Sequence, residues 1–417
     1  MPNPTALACV RCGARFPAFH FASDCSACRA DQSPANLSVM YDVLPGRELN
    51  RAHLPLSPAS LWRWEAFLPA EAKDAITLGE GNTPLLRVPA LGLGDLRIKD
   101  ETRNPTWSFK DRLASVAITM ARCLGAKVIA SSSSGNAGAA AAAYAAKADL
   151  PCIVFTYKHA TGALIAQMRA YGAMVVLAGS PAERWRLQAE GVHELGWYPT
   201  SPFFGPVVGS NPFGMEGYKT IAYEIAEALN WRTPDWCVLP VCYGDALYGM
   251  WKGFEELRAL GWIERTPRFV AAEVSGSLAA ALASGEAMPP VRMRNAQTLA
   301  TSIGANQGTV QALEVLRRCN GHAVTVADDE LMQWVVKLAR TEGIWAEPAA
   351  AAPFAAIARL RLSGIIAPDA LTVALVTAGG LKDARAIDAA LPAPPLVTGG
   401  LDELLQALRQ TYGYGHA

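Results

Sequence analysis

From residue 96 onward, short apolar runs alternate with longer segments of helical periodicity. In the first half of this pattern the apolar runs are residues 96–101, 127–132, 152–157 and 174–179, and helical patterns follow at 108–123, 137–148, 160–171 and 181–195. The alternation resumes near residue 215 and continues to residue 380. Such alternation is typical of βαβ units, in which helices cover both faces of a parallel sheet. The sequence therefore predicts an α/β fold with mostly parallel sheets.

A segment rich in proline, glycine and phenylalanine, residues 198–214, separates the two halves of this pattern. The chain is longer than one ordinary domain of roughly 150 residues, so we interpret this segment as a crossing between two open α/β lobes. The predicted division is a zinc-ribbon-like segment at 1–40, a small α/β domain at 96–199, and a large α/β domain made of 41–95 and 200–417. Two such lobes bind a ligand at the carboxyl ends of their strands.

The charge balance argues against large anionic partners. Lysine plus arginine and aspartate plus glutamate number 37 each, so the formal net charge is zero and no global field favours nucleic acid or an anionic membrane. The N-terminus lacks a basic region followed by an apolar run, and no later stretch has the roughly 18 uncharged apolar residues of a membrane helix. We therefore expect a small-molecule substrate, no nucleic acid, no membrane and a cytoplasmic location.

Four of the nine cysteines form two Cys-x-x-Cys pairs near the start of the chain: Cys9, Cys12, Cys25 and Cys28. Two such pairs can supply four thiolates to one tetrahedral zinc ion. Twelve residues separate the pairs, slightly fewer than in the commonest ribbons, and His20 lies among them as a substitute ligand. Structural zinc, free thiols and a redox pair are the three interpretations. Basic residues are sparse in this segment, which favours a structural use over nucleic-acid recognition.

Lys110 lies just after a polar loop that ends at Ser108, where a helix is predicted to begin. A cation is disfavoured at the amino end of a helix, and this lowers the pKa of the amine and frees it for Schiff-base chemistry. Taken alone, such a lysine is usually an ordinary solvated residue.

Three other strand ends carry small or polar residues. Residues 131–138 form a serine- and glycine-rich turn that contains Asn136, residues 238–249 form a second turn before a helix, and Thr377 follows the last apolar run. Backbone N–H groups at such turns bind carboxylate or phosphate. The second turn lacks the Lys-Ser/Thr ending of a nucleotide P-loop and the dinucleotide fingerprint, which disfavours a nicotinamide cofactor.

Taken together and in order, these motifs resemble those of threonine synthases, which are fold-type II pyridoxal-phosphate enzymes of the tryptophan synthase beta superfamily. The resemblance rests on Asn-Pro-Thr-x-Ser-Phe-Lys-Asp-Arg at 104–112, Ser-Ser-Gly-Asn-Ala at 133–137, Pro-Val-x-Tyr-Gly at 240–244 and Thr-x-Gly-Gly-Leu-Lys-Asp at 377–383. Gly-Glu-Gly-Asn-Thr-Pro at 79–84 and the paired cysteine motifs extend it over nearly the whole chain. It implies pyridoxal 5'-phosphate as cofactor, a small amino acid as substrate and a homodimer.

The resemblance also implies residue roles, with Lys110 as the Schiff-base lysine. The residues implied around the cofactor are Phe109 beside the ring, Asn136 at the phenolic oxygen, a phosphate loop of Val241, Cys242, Tyr243, Gly244, Asp245, Ala246 and Leu247, and Thr377 at the pyridine nitrogen. The residues implied to bind the substrate carboxylate are Ser133, Ser134, Gly135, Asn136 and Ala137. Trp107 is a further candidate for contact with the substrate.

The implied chemistry is elimination or replacement at the β or γ carbon of the amino acid. A serine or threonine ammonia-lyase, or a β-replacement synthase similar to cysteate synthase, would use the same scaffold and is the first alternative. A protein of a different class, with no catalysis and a zinc ribbon that binds partners, is the second.

Three positions depart from the family pattern. Gly214 stands where relatives that use phosphohomoserine carry an arginine for the leaving phosphate, which leaves that substrate in question, and Lys219 or Arg103 would have to compensate. Trp107 and Asp245 stand where glycine is usual. The indole would either narrow the substrate pocket or pack away from it, and the carboxylate would approach the cofactor phosphate unless its side chain turned outward.

Overall fold

The computed structural model describes residues 3–19, 24–157, 162–205, 208–294, 297–388 and 390–414. At the N-terminus, strand β1 (Pro4–Cys9) pairs antiparallel with β2 (Arg15–Pro17) and with β3 (Leu37–Tyr41). A short helix, α1 (Ser26–Ala30), precedes β3. Apolar side chains of this small sheet pack against Phe213 and Val310 of the main body.

The larger of the two remaining sheets has six strands in the order β12-β11-β10-β13-β5-β4. Its strands are β4 (Leu85–Arg87), β5 (Leu96–Asp100), β10 (Trp236–Pro240), β11 (Arg268–Glu273), β12 (His322–Thr325) and β13 (Thr372–Val376). All neighbours are parallel except β4, which is antiparallel to β5 at one edge. Strands β10, β11, β12 and β13 match apolar runs of the alternating pattern between residues 215 and 380. Continuous apolar runs suit strands that are buried on both faces.

The first strand of the segment predicted as the small domain, β5, lies in the larger sheet. β5 pairs in parallel with β13, with Leu96 opposite Thr372 and Asp100 opposite Val376. Local periodicity identifies this segment as a strand but carries no information about its partner, which is nearly 280 residues away in the chain. The proposed domain division stays a prediction.

The smaller parallel sheet has four strands in the order β8-β7-β6-β9. They are β6 (Ile129–Ser132), β7 (Cys152–Tyr157), β8 (Met174–Ala178) and β9 (Tyr198–Pro199). The last of these lies at the start of the proline- and phenylalanine-rich segment.

Helices connect the strands in both sheets. They are α2 (Lys110–Cys123), α3 (Asn136–Lys147), α4 (Gly162–Ala170), α5 (Pro181–Leu195), α6 (Pro212–Ala228), α7 (Asp245–Ala259), α8 (Ser277–Ser284), α9 (Val310–Arg318), α10 (Asp328–Glu342), α11 (Pro348–Leu362), α12 (Ala384–Asp388) and α13 (Leu401–Tyr412). Single 3₁₀ turns occur at Arg51–His53, Ala72–Asp74, Pro89–Leu91, Glu101–Arg103, Thr301–Ile303 and Gly380–Asp383, with a longer one at Leu61–Phe67. The predicted α/β class with mostly parallel sheets is confirmed. In the part of the chain that is described, no helix is both long and apolar enough to cross a membrane.

Helix α2 is anchored by a fully buried ion network. Arg112 donates to Glu101 at 2.7 and 2.8 Å and to Glu224 at 2.7 Å through two different nitrogens. Lys99 adds a bond of 2.6 Å to Glu224. Removing one member of such a buried network typically costs about 3–5 kcal/mol because a charge is left unpaired. The network therefore fixes the helix whose first residue is Lys110.

Candidate active site

Lys110 is the first residue of α2, which begins two residues later than the helix predicted at 108–123 and keeps Lys110 in its first turn. The loop before it is fastened to the end of β13, because Ser108 forms an isolated bridge with Ala378 and the amide of Phe109 donates to the carbonyl of Thr377 at 2.9 Å. Lys110 and Thr377 are therefore brought together at the carboxyl edge of the larger sheet, where open α/β folds bind ligands.

The Lys110 amine lies among aromatic rings and not against a carboxylate. Its Nζ is 4.6 Å from the centre of the Phe109 ring and 5.5 Å from that of Tyr218, and these two rings stack with centroids 5.3 Å apart. Burial lowers the pKa of Lys110, while the nearby charges of Asp245, Cys242 and Glu347 oppose the shift. Desolvation is thus the main cause of the lowered pKa, and it favours the neutral amine that nucleophilic chemistry needs.

Residues 133–137 join the end of β6 to the start of α3. The Gly135 amide donates to the Ser133 hydroxyl at 3.3 Å, and the Ser134 hydroxyl donates to that of Tyr157 at 3.4 Å. Two hydroxyls just before the turn, those of Ser131 and Ser132, are buried without a hydrogen-bond partner. Buried polar groups are normally paired, so unpaired hydroxyls beside a helix amino end are consistent with a ligand site.

Asn136 extends from this turn toward the other sheet. Its side-chain nitrogen donates to Oε2 of Glu347 at 2.9 Å, and its Oδ1 is buried with no partner. Glu347 directly precedes α11, and its amide donates to the Ala378 carbonyl at 3.1 Å. Burial raises the pKa of the Glu347 carboxyl. Sequence reasoning missed this residue, although a glutamate followed by Pro348 at a helix start was a visible signal.

The loop from Val241 to Leu247 leads from β10 into α7. Gly244 has a φ of +80°, and a Cβ there would lie 2.5 Å from Cβ of Ala312. Glycine is therefore required both by the backbone and by the neighbouring helix α9. The first-turn amides of Asp245, Ala246 and Leu247 have no intrahelical acceptors, because the first turn of a helix never does, and they suit a phosphate.

The Asp245 side chain turns out of this loop. Its carboxylate accepts bonds from the Ser210 amide at 3.1 Å, the Ser210 hydroxyl at 2.7 Å and the Gln311 amide nitrogen at 2.8 Å. These three donors hold the carboxylate toward the α9 side. These bonds favour the other outcome considered from the sequence, in which the side chain turns outward from the cofactor phosphate.

Two buried ionisable groups in the motifs of the candidate site, Asp111 and Lys382, were not predicted to matter. Lys382 is buried, donates to Oε1 of Gln167 at 3.2 Å, and has a pKa lowered to about 8 by burial, against the influence of Glu347 and Asp111. Burial raises the pKa of Asp111 to about 7, although Thr106 donates two bonds to it. Both residues lie in motifs identified from the sequence, at 104–112 and 377–383. The motifs assigned no chemical role to either side chain.

The proposed substitutes for the missing arginine are occupied elsewhere. Lys219 is fully buried and bonded to Glu256 at 2.9 Å and Glu216 at 2.6 Å, and Arg103 is 65% exposed and bonded to Asp100. Gly214 faces α2, where a Cβ would lie 2.8 Å from Cγ of Leu113. Compensation by Lys219, one of the two options considered from the sequence, is disfavoured because two carboxylates already neutralise its charge.

Trp107 is half exposed, at 51% of its surface, with a φ of +60°. Its carbonyl accepts from the Gly379 amide at 3.1 Å, so the residue lies beside the loop that follows Thr377. The left-handed backbone explains why glycine is usual at this position in relatives.

The four cysteines of the two Cys-x-x-Cys pairs converge, with all four sulfurs within 4.8 Å of one another. The distance is 3.7 Å between the sulfurs of Cys9 and Cys28 and 3.7 Å between those of Cys12 and Cys25. Zinc–sulfur bonds of about 2.3 Å in a tetrahedron give sulfur–sulfur distances of about 3.8 Å. Zinc at this cluster stays a prediction. His20, the candidate substitute ligand, lies outside the described residues.

The residues around Lys110 fit the cofactor that the resemblance implies. A partly buried amine with a lowered pKa, an unpaired amide oxygen on Asn136, and a glycine-containing helix start at Gly244 lie at the carboxyl ends of strands from both sheets. Pyridoxal phosphate has a matching aldehyde, polar ring substituents and phosphate. The individual roles of these residues remain predictions.

Comparison with known proteins gives a consistent result. A family model described as "Pyridoxal-phosphate dependent enzyme" matches residues 76–378. The threonine synthase of Methanosarcina acetivorans is 32% identical over 96% of this chain and 98% of its own length, and that of Methanocaldococcus jannaschii is 32% identical over 96% and 99%. The structure of maize serine racemase superposes with a TM-score of 0.62 at 19% identity, covering 81% of this chain and 94% of that one. At that identity the structural likeness shows the fold alone.

Proposed function

The chain belongs to the pyridoxal-phosphate dependent enzyme family, and from this premise we propose that it is a threonine synthase-like lyase. Its substrate is a small amino acid with a leaving group on the β or γ carbon. Bound through the Lys110 amine, pyridoxal phosphate would supply an electron sink for negative charge at the substrate Cα.

The observation that carries the proposal is the environment of the Lys110 amine. The amine is partly buried against Phe109 and Tyr218, desolvation lowers its pKa, and among the described residues it forms no ion pair. A structural lysine, such as Lys219, is instead neutralised by carboxylates. A buried amine kept free of a counter-ion is suited to forming a covalent bond and to moving a proton.

Each neighbouring residue has a proposed task in that chemistry. The Lys110 amine would take the proton from the substrate Cα and return it later, and the turn at 133–137 would hold the substrate carboxylate. The Asn136 amide would orient the phenolic oxygen, and the amides that follow Gly244 would hold the phosphate. Thr377 would face the ring nitrogen with a hydroxyl, which does not force that nitrogen to be protonated.

The proposal also includes the compartment and the assembly expected from the sequence. We propose that the enzyme acts in the cytoplasm as a homodimer. Light scattering coupled to size-exclusion chromatography measures the mass in solution, and a monomer as the active species would contradict the dimer.

The test is visible absorption combined with a substrate panel. Purified protein should show the absorption band of enzyme-bound pyridoxal phosphate, Lys110→Ala should abolish it, and Lys127→Ala should preserve it, because Lys127 is exposed after the end of α2. The panel is phosphohomoserine, phosphoserine, serine and threonine, with release of phosphate and of keto acid measured separately. The proposal predicts phosphate release from a phosphorylated amino acid.

Two outcomes contradict the proposal. Keto acid formed from threonine, with no phosphate released from either phosphorylated amino acid, would identify an ammonia-lyase. A protein with no visible band, or a band that Lys110→Ala leaves unchanged, would be a binding protein and not this enzyme.

A further inference from the structure

Arg184 is a buried cation that has no anionic partner among the described residues. It lies in the second turn of α5 and is only 9% exposed. Its Nε is buried without a hydrogen-bond partner, and no carboxylate of the described residues lies within 4.0 Å of its guanidinium. Other buried arginines of the chain, such as Arg112, are fully paired. Because arginine stays protonated in proteins, an unpaired buried guanidinium is expected to have a use that requires an anion.

The position of Arg184 is at the ligand edge of the smaller sheet. Its guanidinium carbon lies 5.4 Å from the centre of the Tyr157 ring, and Tyr157 is the last residue of β7. The Tyr157 hydroxyl bonds to Ser134, within the turn that is predicted to hold the substrate carboxylate. The Tyr157 side chain therefore links the Arg184 guanidinium to the turn that is predicted to bind the substrate carboxylate.

Arg184 also interacts electrostatically with a residue that follows a strand of the larger sheet. Burial lowers the pKa of Arg184, and the phenols of Tyr243 and Tyr157 act against that shift. Tyr243 belongs to the loop 241–247, and Cys242 beside it interacts with Lys110. The guanidinium thus lies within electrostatic range of one residue from each sheet, Tyr157 and Tyr243.

We propose that Arg184 binds the anionic leaving group of the substrate, a phosphate ester at the end opposite to the carboxylate. This inference rests on the proposed function and adds the residue that selects a phosphorylated amino acid. Gly214 carries no charge, and Lys219 is already neutralised by two carboxylates. The cation that binds the leaving phosphate is therefore the arginine of α5. A guanidinium can donate two parallel bonds to a phosphate, which gives both affinity and orientation.

The experiment compares Arg184→Gln and Arg184→Lys with a matched control, Arg186→Gln, an exposed arginine of the same helix that pairs with Glu190. Cofactor affinity is measured by absorption titration, and phosphate release is measured with phosphohomoserine and phosphoserine. Competition by inorganic phosphate is measured in parallel. We expect Arg184→Gln to lower kcat/KM for the phosphorylated substrate by at least about 100-fold, to abolish inhibition by phosphate, and to leave cofactor affinity within about twofold.

Arg184→Lys should recover part of the activity, because it keeps the charge and loses the two-pronged geometry. The thermal midpoint of Arg184→Gln should be equal to or higher than that of the parent, since an unpaired buried charge is removed. This separates loss of binding from loss of folding.

Arg184→Gln would overturn the inference if it weakened cofactor binding and lowered kcat/KM equally for all substrates. The cation would then be assigned to the cofactor phosphate. Unchanged kcat/KM and unchanged phosphate inhibition would also overturn it. If the parent protein binds the cofactor and releases phosphate while Arg184→Gln behaves like the parent, only this inference fails. If the parent has no cofactor band, the proposed function fails instead.

Discussion

The side-chain nitrogen of Asn136 donates to the carboxylate of Glu347 across 2.9 Å, and this bond joins the first turn of α3 to the residue that precedes α11. Helix α3 follows a strand of the smaller sheet and α11 packs against strands of the larger sheet, so the bond connects the two sheets. It also fixes which end of the Asn136 amide faces Glu347 and leaves Oδ1 without a partner. Glu347 is therefore a positioning residue for an amide that is predicted to contact the cofactor.

Glu347→Ala is expected to lower kcat by about 10- to 100-fold, because second-layer partners typically contribute that much to a site. Glu347→Gln should recover much of the loss, since its amide oxygen can still accept the Asn136 bond. The cofactor absorption band should shift in Glu347→Ala, which a merely structural role would not cause. Glu286→Gln, at an exposed position, is the control. Equal activity of the alanine and glutamine variants would contradict the positioning role.

Asp111 should make stability depend on pH. Its pKa is raised to about 7 in the folded protein from about 3.9 in an unfolded chain, so the folded state binds this proton more tightly. The contribution of Asp111 to stability should therefore be complete below about pH 4 and be lost as pH rises to 7, by at most about 1.4 kcal/mol per pH unit for one proton. Urea unfolding of the parent and of Asp111→Asn between pH 5 and 7 measures this, and the variant should have the flatter dependence.

The control for this measurement is Asp402→Asn, an exposed aspartate in α13. It should follow the parent at every pH. Parallel pH dependences for the parent and Asp111→Asn would show that the proton is bound elsewhere in the cluster with Lys382 and Glu347.

Local features of the sequence predicted most of the regular structure. The run 152–157 is β7 to the residue, and the helix expected at 137–148 is Asn136–Lys147, because a small-residue turn begins it and an alanine-rich segment continues it. The helix that starts at Lys110 was predicted from a change of polarity alone. These signals are short-range, and they need no knowledge of what packs against them.

Tertiary relationships could not be read in the same way. The partner of β5 is distant in sequence, and the helix α9 was not predicted although it supplies Gln311 to Asp245. Arg184 resembles any other arginine of an exposed amphipathic helix until the fold buries it. Motifs identified the loops of the candidate site, whereas the residues that approach those loops from other elements required the structure.

Trp107→Gly tests whether the indole limits the substrate. A left-handed backbone costs a non-glycine residue about 1–3 kcal/mol, while glycine gains flexibility in the unfolded chain worth about 0.5–1 kcal/mol, and only half of the indole surface is buried. Stability should therefore change by about 1 kcal/mol or less. If the indole borders the substrate, kcat/KM for longer amino acids should rise about tenfold relative to serine.

Trp107→Ala separates the two effects, because it removes the indole and keeps the unfavourable backbone. It should show the same change in substrate preference as Trp107→Gly with lower thermal stability. Unchanged preference in both variants would mean that the indole packs away from the substrate.

The cluster of Cys9, Cys12, Cys25 and Cys28 should contain one zinc ion per chain, because its sulfur–sulfur distances of 3.7 Å suit tetrahedral coordination. Metal analysis of protein purified without chelators measures this. Cys25→Ser should lose the zinc and lower the thermal midpoint, since the metal holds together a small sheet that packs on Phe213 and Val310. Cys123→Ser, at an exposed cysteine outside the cluster, should change neither. Full thiol titration of native protein, with no zinc found, would favour free thiols, and a loss of titratable thiols that a reductant reverses would favour the redox pair.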